Sequence, residues 1–260
     1  MRLHVLLARA GVLSRQRNKG LVRSGAVSVD GRIVLEPFAE IDPITQHVEI
    51  AGIGRVRLPT GWTYVLMNKP RGHVSAMTDP EGRPTLEPYF PAEMPSVHPV
   101  GRLDFNTEGA LLLTDDGELA HRVLHPDWHL PKLYRVKVRG HLRHDEPAFD
   151  AIRAGVELDG ERTRPVEVEW EAHRARATWL RLTLREGRHR QIRRTCALFD
   201  WQIVKLQRVA IGPIGIGDLT PRTWRLLDAH EIAALASAVS LVRPVPHATN
   251  DAESPSSGNR

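Results

Sequence analysis

Gly101-Arg102-Leu103-Asp104-Phe105-Asn106-Thr107-Glu108-Gly109-Ala110-Leu111-Leu112-Leu113-Thr114-Asp115-Asp116-Gly117 joins a polar loop, an apolar run and an acidic turn in one short stretch. Ala110 to Thr114 is predicted as a strand, Asp115-Asp116-Gly117 as a turn and Glu118 to Leu124 as a short helix. Asp104 stands in the loop before the strand, beside Arg102. A carboxylate so placed usually caps or turns the chain, so local spacing alone does not make it catalytic. Outward from here strands dominate. Leu133 to Arg139 puts Tyr134, Val136 and Val138 on one face and Arg135, Lys137 and Arg139 on the other, and Leu180, Leu182 and Leu184 alternate with Arg181, Thr183 and Arg185. Upstream, Trp62 to Met67 is β-rich and is stopped at Asn68-Lys69-Pro70-Arg71-Gly72. A proline-dense stretch from Asp79 to Pro99 is read as an extended excursion. Ile192, Cys196 and Phe199 recur at helical spacing, which predicts a helix from His189 to Phe199 whose other face gathers Arg190, Arg193 and Arg194. Ile203 to Ile216 returns to strand, and Leu227 to Val239 supplies a closing helix.

The N-terminal segment reads as a separate small module. Leu3, Leu6, Leu7 and Ala10 predict one helix ended by Gly11, and Ser14 can cap a second running to about Arg23. Val27-Ser28-Val29-Asp30-Gly31-Arg32-Ile33 predicts a tight hairpin across Asp-Gly. Arg15, Lys19 and Arg23 fall at i, i+4, i+8 and make one basic face. Residues 51–60 have linker composition. From Pro244 the chain is small and polar, and 241–260 is expected to be a disordered tail.

The chain has 260 residues, and 36 Lys and Arg against 31 Asp and Glu give +5. Two clusters carry that surplus: Arg2, Arg9, Arg15, Arg17, Lys19 and Arg23, then Arg185, Arg188, Arg190, Arg193, Arg194, Lys205 and Arg208. Arginine-dominated clusters suit a polyanion, because guanidinium groups fork onto phosphate oxygens. With 41% apolar residues there is material for a core, and no apolar run is long enough to span a bilayer. A cytoplasmic protein without membrane association is expected. Cys196 is the only cysteine, which excludes an intrachain disulfide and a multi-cysteine metal site.

Residues 1–34 resemble the small RNA-binding domain named after ribosomal protein S-four, with Gly20 as a departure inside its second helix. The runs MNKPRG, GRLDFNTEGALLLTDDGELAHRVLHP, KLYRVKVRG, EGRHRQIRR and KLQRVAIGPIGIGDL resemble, in order and spacing, the RsuA and RluB type of ribosomal RNA pseudouridine synthase. The resemblance spans about Met1 to Ala236. It implies an α+β protein: a small α+β RNA-binding module (1–50), a linker (51–60), then a catalytic domain (61–240) with a mixed, mainly antiparallel sheet and a central cleft.

The implied reaction breaks the N1 to C1′ bond of uridine, turns the base, and joins C5 to C1′. It needs no cofactor and no metal. By resemblance Asp104 is the catalytic aspartate, Arg193 its partner and Tyr134 the residue that stacks on the base and accepts the C5 proton. Periodicity alone would make Tyr134 a core residue. Arg102, Arg188, Arg190, Arg194 and Arg208 become RNA contacts, a solvated arginine face being the bland alternative, and Asn68, Lys69 and Pro70 support the catalytic loop. His189, Leu133 and Cys196 depart from the residues common at those positions. The implied partner is ribosomal RNA, a structured stem-loop with a flipped uridine, bound by a monomer. Large-subunit RNA is favoured; small-subunit RNA, transfer RNA and a non-catalytic ribosome-assembly role are the alternatives.

Overall fold

The computed structural model describes residues 1–241 apart from 58, 60, 92, 93, 95 and 175, so the expected tail lies, from residue 242 on, outside the described residues. In the N-terminal module α1 (Leu3–Arg9) ends at Gly11, which takes φ +76°, and α2 (Arg15–Arg23) begins where the Ser14 hydroxyl accepts from Arg17 N. Leu3, Leu6, Leu7 and Val22 pack onto Val27 and Val48 with no exposed surface. Strands β1 (Val27–Val29) and β2 (Arg32–Ile33) meet across Asp30 and Gly31, both at positive φ, as the predicted turn requires. The expected linker is shorter than its composition suggests. Strand β3 (Val48–Ile50) pairs with β4 (Gly54–Val56), so the module's sheet, ordered β2-β1-β3-β4, reaches Val56. The glycines that read as linker are this hairpin's corner: Gly52 and Gly54 take φ of +77° and +91°.

The large module is built on β5 (Tyr64–Lys69), β6 (His98–Pro99), β7 (Glu108–Thr114), β8 (Lys132–Arg139), the small hairpin β9 (Glu157–Leu158) with β10 (Glu161–Arg162), β11 (Glu167–Arg174), β12 (Ala177–Leu184), β13 (Ile203–Ile211), β14 (Ile214–Gly215) and β15 (Trp224–Leu226). Among the described residues its main sheet runs β11-β12-β8-β13-β7-β5-β15, with β6 on β7 and β14 on β13. Every pairing is antiparallel except β13 with β7, which are parallel over Gln207 with Glu108 and Arg208 with Gly109. The expected mixed, mainly antiparallel sheet is therefore present, and the parallel step marks where its two halves meet.

Each half has its own core. Val136, Val138, Leu180 and Leu182 are covered by α4 (Pro147–Ala154) and α5 (Gln191–Leu198) through Phe149, Ile152, Ile192 and Cys196. In the other half β5 and β7 are buried on both faces, which is why Leu111, Leu112 and Leu113 run on without alternation. Leu66 and Leu112 face α3 (Gly117–Leu124) and α6 (Ala229–Ala238), whereas Val65, Met67, Leu111 and Leu113 meet Leu86 and Val97 of the proline-dense segment. That excursion is a packed cover with a short 3₁₀ turn at Glu87–Tyr89. Helix α4 and the β9–β10 hairpin form where the sequence pattern predicts neither. Gly212, at φ +53°, divides the strand expected over Ile203 to Ile216.

Candidate active site

The loop carrying Asp104 is tied from below by the Asn68-Lys69-Pro70 segment. Lys69 is fully buried, and its ammonium donates to Pro70 O at 3.0 Å, Asp104 O at 3.3 Å and Thr107 O at 2.9 Å. One charged group thus braces three carbonyls of a tight loop at once. Burial pulls the Lys69 ammonium down to about 8, against an opposing pull from Asp104. Gly72 N donates to Phe105 O at 2.8 Å, Thr107 N to Asp104 O at 2.9 Å, and the Ser75 hydroxyl both donates to Leu103 O and accepts from Leu103 N, each at 2.9 Å. Asn68 anchors the other side of this support through Leu219 O at 2.7 Å.

From the opposite half of the sheet, α5 brings an arginine to the carboxylate. Ile192, Thr195 and Cys196 are buried, so Arg193 points away from that core and its Nε donates to Asp104 Oδ2 at 3.2 Å. The same guanidinium donates to Asn106 O at 2.9 Å and Thr107 Oγ1 at 3.1 Å. The Asp104 side chain remains 26% exposed, enough for a ligand to reach it. Arg190 lies 4.0 Å from the same carboxylate oxygen, is half exposed, and sits in the left-handed region at φ +51°. That turn starts α5 two residues later than periodicity suggests. A carboxylate gripped by a guanidinium and open to solvent can serve as a nucleophile or an anionic stabiliser.

Two other arginines of this motif face elsewhere. Arg188 donates to Arg162 O at 2.7 Å and Glu161 O at 3.3 Å and pairs with Glu186, while Arg194 pairs with Asp159 in the β9–β10 turn. Both brace that hairpin, and with side chains 28% and 30% exposed they stay partly open to solvent. Arg208 does not stand at the RNA surface expected for it. It is only 4% exposed, a rung of β13 between Tyr134 of β8 and Gly109 of β7, and its Nε donates to Ala110 O at 2.7 Å. Arg102 is exposed beside the loop.

Tyr134 is half-buried against the core that α4 and α5 cover, as its periodicity implies. It also neighbours Arg208 across the strand pair. Burial, and to a lesser degree Arg208, hold Lys132, two residues earlier on the same face, below the usual ammonium range. In the N-terminal module Arg15 and Arg23 are exposed and Lys19 lies over Phe38, its ammonium 5.2 Å from the ring centroid. Burial pushes the Cys196 thiol up to about 12, leaving it unsuited to nucleophilic work. Nothing in the sequence pattern singles out Ser75, Asn106 or Thr107, although the last two stand inside the quoted loop.

The RNA pseudouridylate synthase family matches residues 63–198. The chain belongs to that family. The S4 domain matches residues 1–38, which accounts for the N-terminal module. An uncharacterized RNA pseudouridine synthase of Aquifex aeolicus is 36% identical over 242 residues, covering 93% of this chain and 96% of that protein. The ribosomal large subunit pseudouridine synthase B of Bacillus subtilis is 32% identical over 236 residues, covering 90% and 95%. A crystal structure of a pseudouridylate synthase superposes with a TM-score of 0.61 at 30% identity, covering 90% of this chain and 99% of that one. A synthase of this family is an isomerase acting on RNA, and the chain is one.

Proposed function

We propose that this synthase isomerises a uridine of large-subunit ribosomal RNA, with Asp104 acting at the ribose or base, Arg193 orienting it and Tyr134 accepting the C5 proton. The observation that carries this reading is the Asp104–Arg193 pair, made between the two halves of the sheet and still open to solvent. The bond count balances within one nucleotide: N1–C1′ breaks, C1′–C5 forms, and the proton leaving C5 is replaced by one at N1. The step calls for a positioned carboxylate, and the Arg193 guanidinium fixes its place. Arg102 and Arg190, at the exposed rim, would meet phosphates flanking the flipped nucleotide, and the Arg15, Lys19 and Arg23 side of the first module would grip the adjoining stem-loop. The large-subunit assignment draws on the Bacillus relative's name and on the likeness of the FNTEGALLLTDDGELAHRVLHP run and the Val138-Arg139-Gly140 end of the tyrosine strand to the RluB type.

Pseudouridine mapping in ribosomal and transfer RNA from a strain lacking this protein tests it. Loss of a large-subunit pseudouridine, restored by the wild-type gene and not by Asp104→Asn, is the expected result. Loss confined to small-subunit or transfer RNA reassigns the substrate. An unchanged map, or full restoration by the Asn variant, removes the proposal.

A further inference from the structure

Arg9 closes α1 of the N-terminal module, yet its side chain is spent on the catalytic domain. Its Nε donates to Asp115 Oδ2 at 2.7 Å, and the two side chains are only 4% and 2% exposed. A second guanidinium nitrogen donates to Gly61 O, and the guanidinium carbon lies 3.7 Å from the Trp62 ring centroid. The other Asp115 oxygen accepts from Thr63 N at 2.7 Å. Next to it, Asp116 caps α3 through Glu118 N and Leu119 N and accepts from the Tyr64 hydroxyl at 2.8 Å, so the catalytic side of the contact is a braced corner. Asp115 follows directly on β7, the strand that the Asp104 loop leads into. Seven residues of strand, at about 3.3 Å each, separate the two ends by roughly 23 Å.

We propose that the Arg9–Asp115 pair is a specificity-determining latch: it sets the RNA grip of the first module at a fixed span from Asp104, and so selects which uridine of a structured RNA is modified. The latch rests on the isomerase reading given under the proposed function. A buried ion pair adds little net stability over apolar residues of like size, but it is exacting in geometry, because any other seating strands a charge away from water. That is the property wanted of a ruler. The same module carries the basic face of α2, so whatever seats α1 also seats the grip. Arg15, at one end of that face, lies against the catalytic domain at Gly117, where an added Cβ would be 3.9 Å from its guanidinium.

The test compares wild-type protein with Arg9→Met and Asp115→Asn. Solution X-ray scattering of the RNA-free proteins should show a larger radius of gyration for both variants. With in vitro transcribed ribosomal RNA as substrate, kcat/KM at the wild-type target should fall at least tenfold, kcat at saturating RNA should stay within about threefold, and pseudouridine should appear at uridines the wild type leaves alone. Arg9→Lys, which keeps the charge but loses the fork and the stack on Trp62, should redistribute pseudouridine as Arg9→Met does. A residue that merely stabilised the fold would lower every position's yield together, without redistribution. Unchanged scattering, or an unchanged map with normal kcat/KM, overturns the latch. Should Arg9→Met fail to fold, Asp115→Asn, which retains an acceptor for Thr63, carries the same comparison. Wild-type protein that makes no pseudouridine in these transcripts removes the functional reading instead, while the scattering still decides whether the pair holds the module.

Discussion

Tyr134 is where packing and chemistry compete for one side chain. It lies half in the core and half at the seam beside Arg208. If its hydroxyl takes the C5 proton, Tyr134→Phe keeps the packing and the thermal midpoint but slows single-turnover product formation by roughly 10² to 10⁴ fold. Normal turnover with a lowered midpoint would return it to the core. Asp104→Asn should cost at least about 10² fold by tritium release from labelled uridine, with RNA affinity retained. Lys69 gives a pH signature. Its folded value of about 8 lies below the 10.5 of a free lysine, so between those values the unfolded chain binds more protons and this group's contribution to stability rises with pH. Activity should move the other way, falling as pH rises through about 8, because the neutral amine no longer braces all three carbonyls. A pH–rate profile beside a pH–stability curve separates the two trends. At this scale the Asp104–Arg193 pairing and the Lys69 brace are legible from motifs, while the burial of Arg208 and the hairpin contacts of Arg188 and Arg194 are not. A run of arginines says that charge is present, and only the fold says which guanidinium groups are already taken by carboxylates and carbonyls.

Among the elements, the parallel seam of β7 and β13 depends on a missing side chain. Gly109 takes φ +111°, and a Cβ there would stand 2.1 Å from Arg208 O. Gly109→Ala is expected to cost about 3 kcal/mol or more, because strand β13 must withdraw and the backbone is strained as well. Helix α2 offers the opposite case. A Cβ added at Gly20 would meet nothing within 4 Å, so Gly20→Ala should stabilise the first module by about 1 kcal/mol. Thermal denaturation of both variants checks the two signs at once. The long elements can be read in advance: β8, β12 and α5 lie close to where alternation or helical spacing puts them, and β7 where an unbroken apolar run does. The β3–β4 hairpin reads as linker because both its corner and a linker favour glycine. Helix α4 escapes notice, a two-turn element whose buried face is only Ala148, Phe149 and Ile152.

For the whole molecule, the proposed grip and the proposed chemistry lie in separate modules and should fail separately. Removing residues 1–56 is expected to weaken binding to structured RNA more than it slows the bound chemical step. Replacing Lys19 and Arg23 with Ala should flatten the salt dependence of binding by about one to two released counterions, read from filter binding across a salt series. Equal salt slopes would place the grip elsewhere. The division into two modules is plain from composition and motifs, but their junction is not, since nothing in the local pattern of Arg9 or Asp115 announces that each is the other's partner across the domain boundary.

The two-rung parallel join between β7 and β13 bears on how the protein is made. Asp104 emerges from the ribosome long before Arg193, and β13, which locks the halves together, follows later still. A nascent or truncated chain that stops short of α5 carries the carboxylate without its arginine and half a sheet without its seam. The catalytic pair and the seam that holds it come together only once α5 and β13 have both been made.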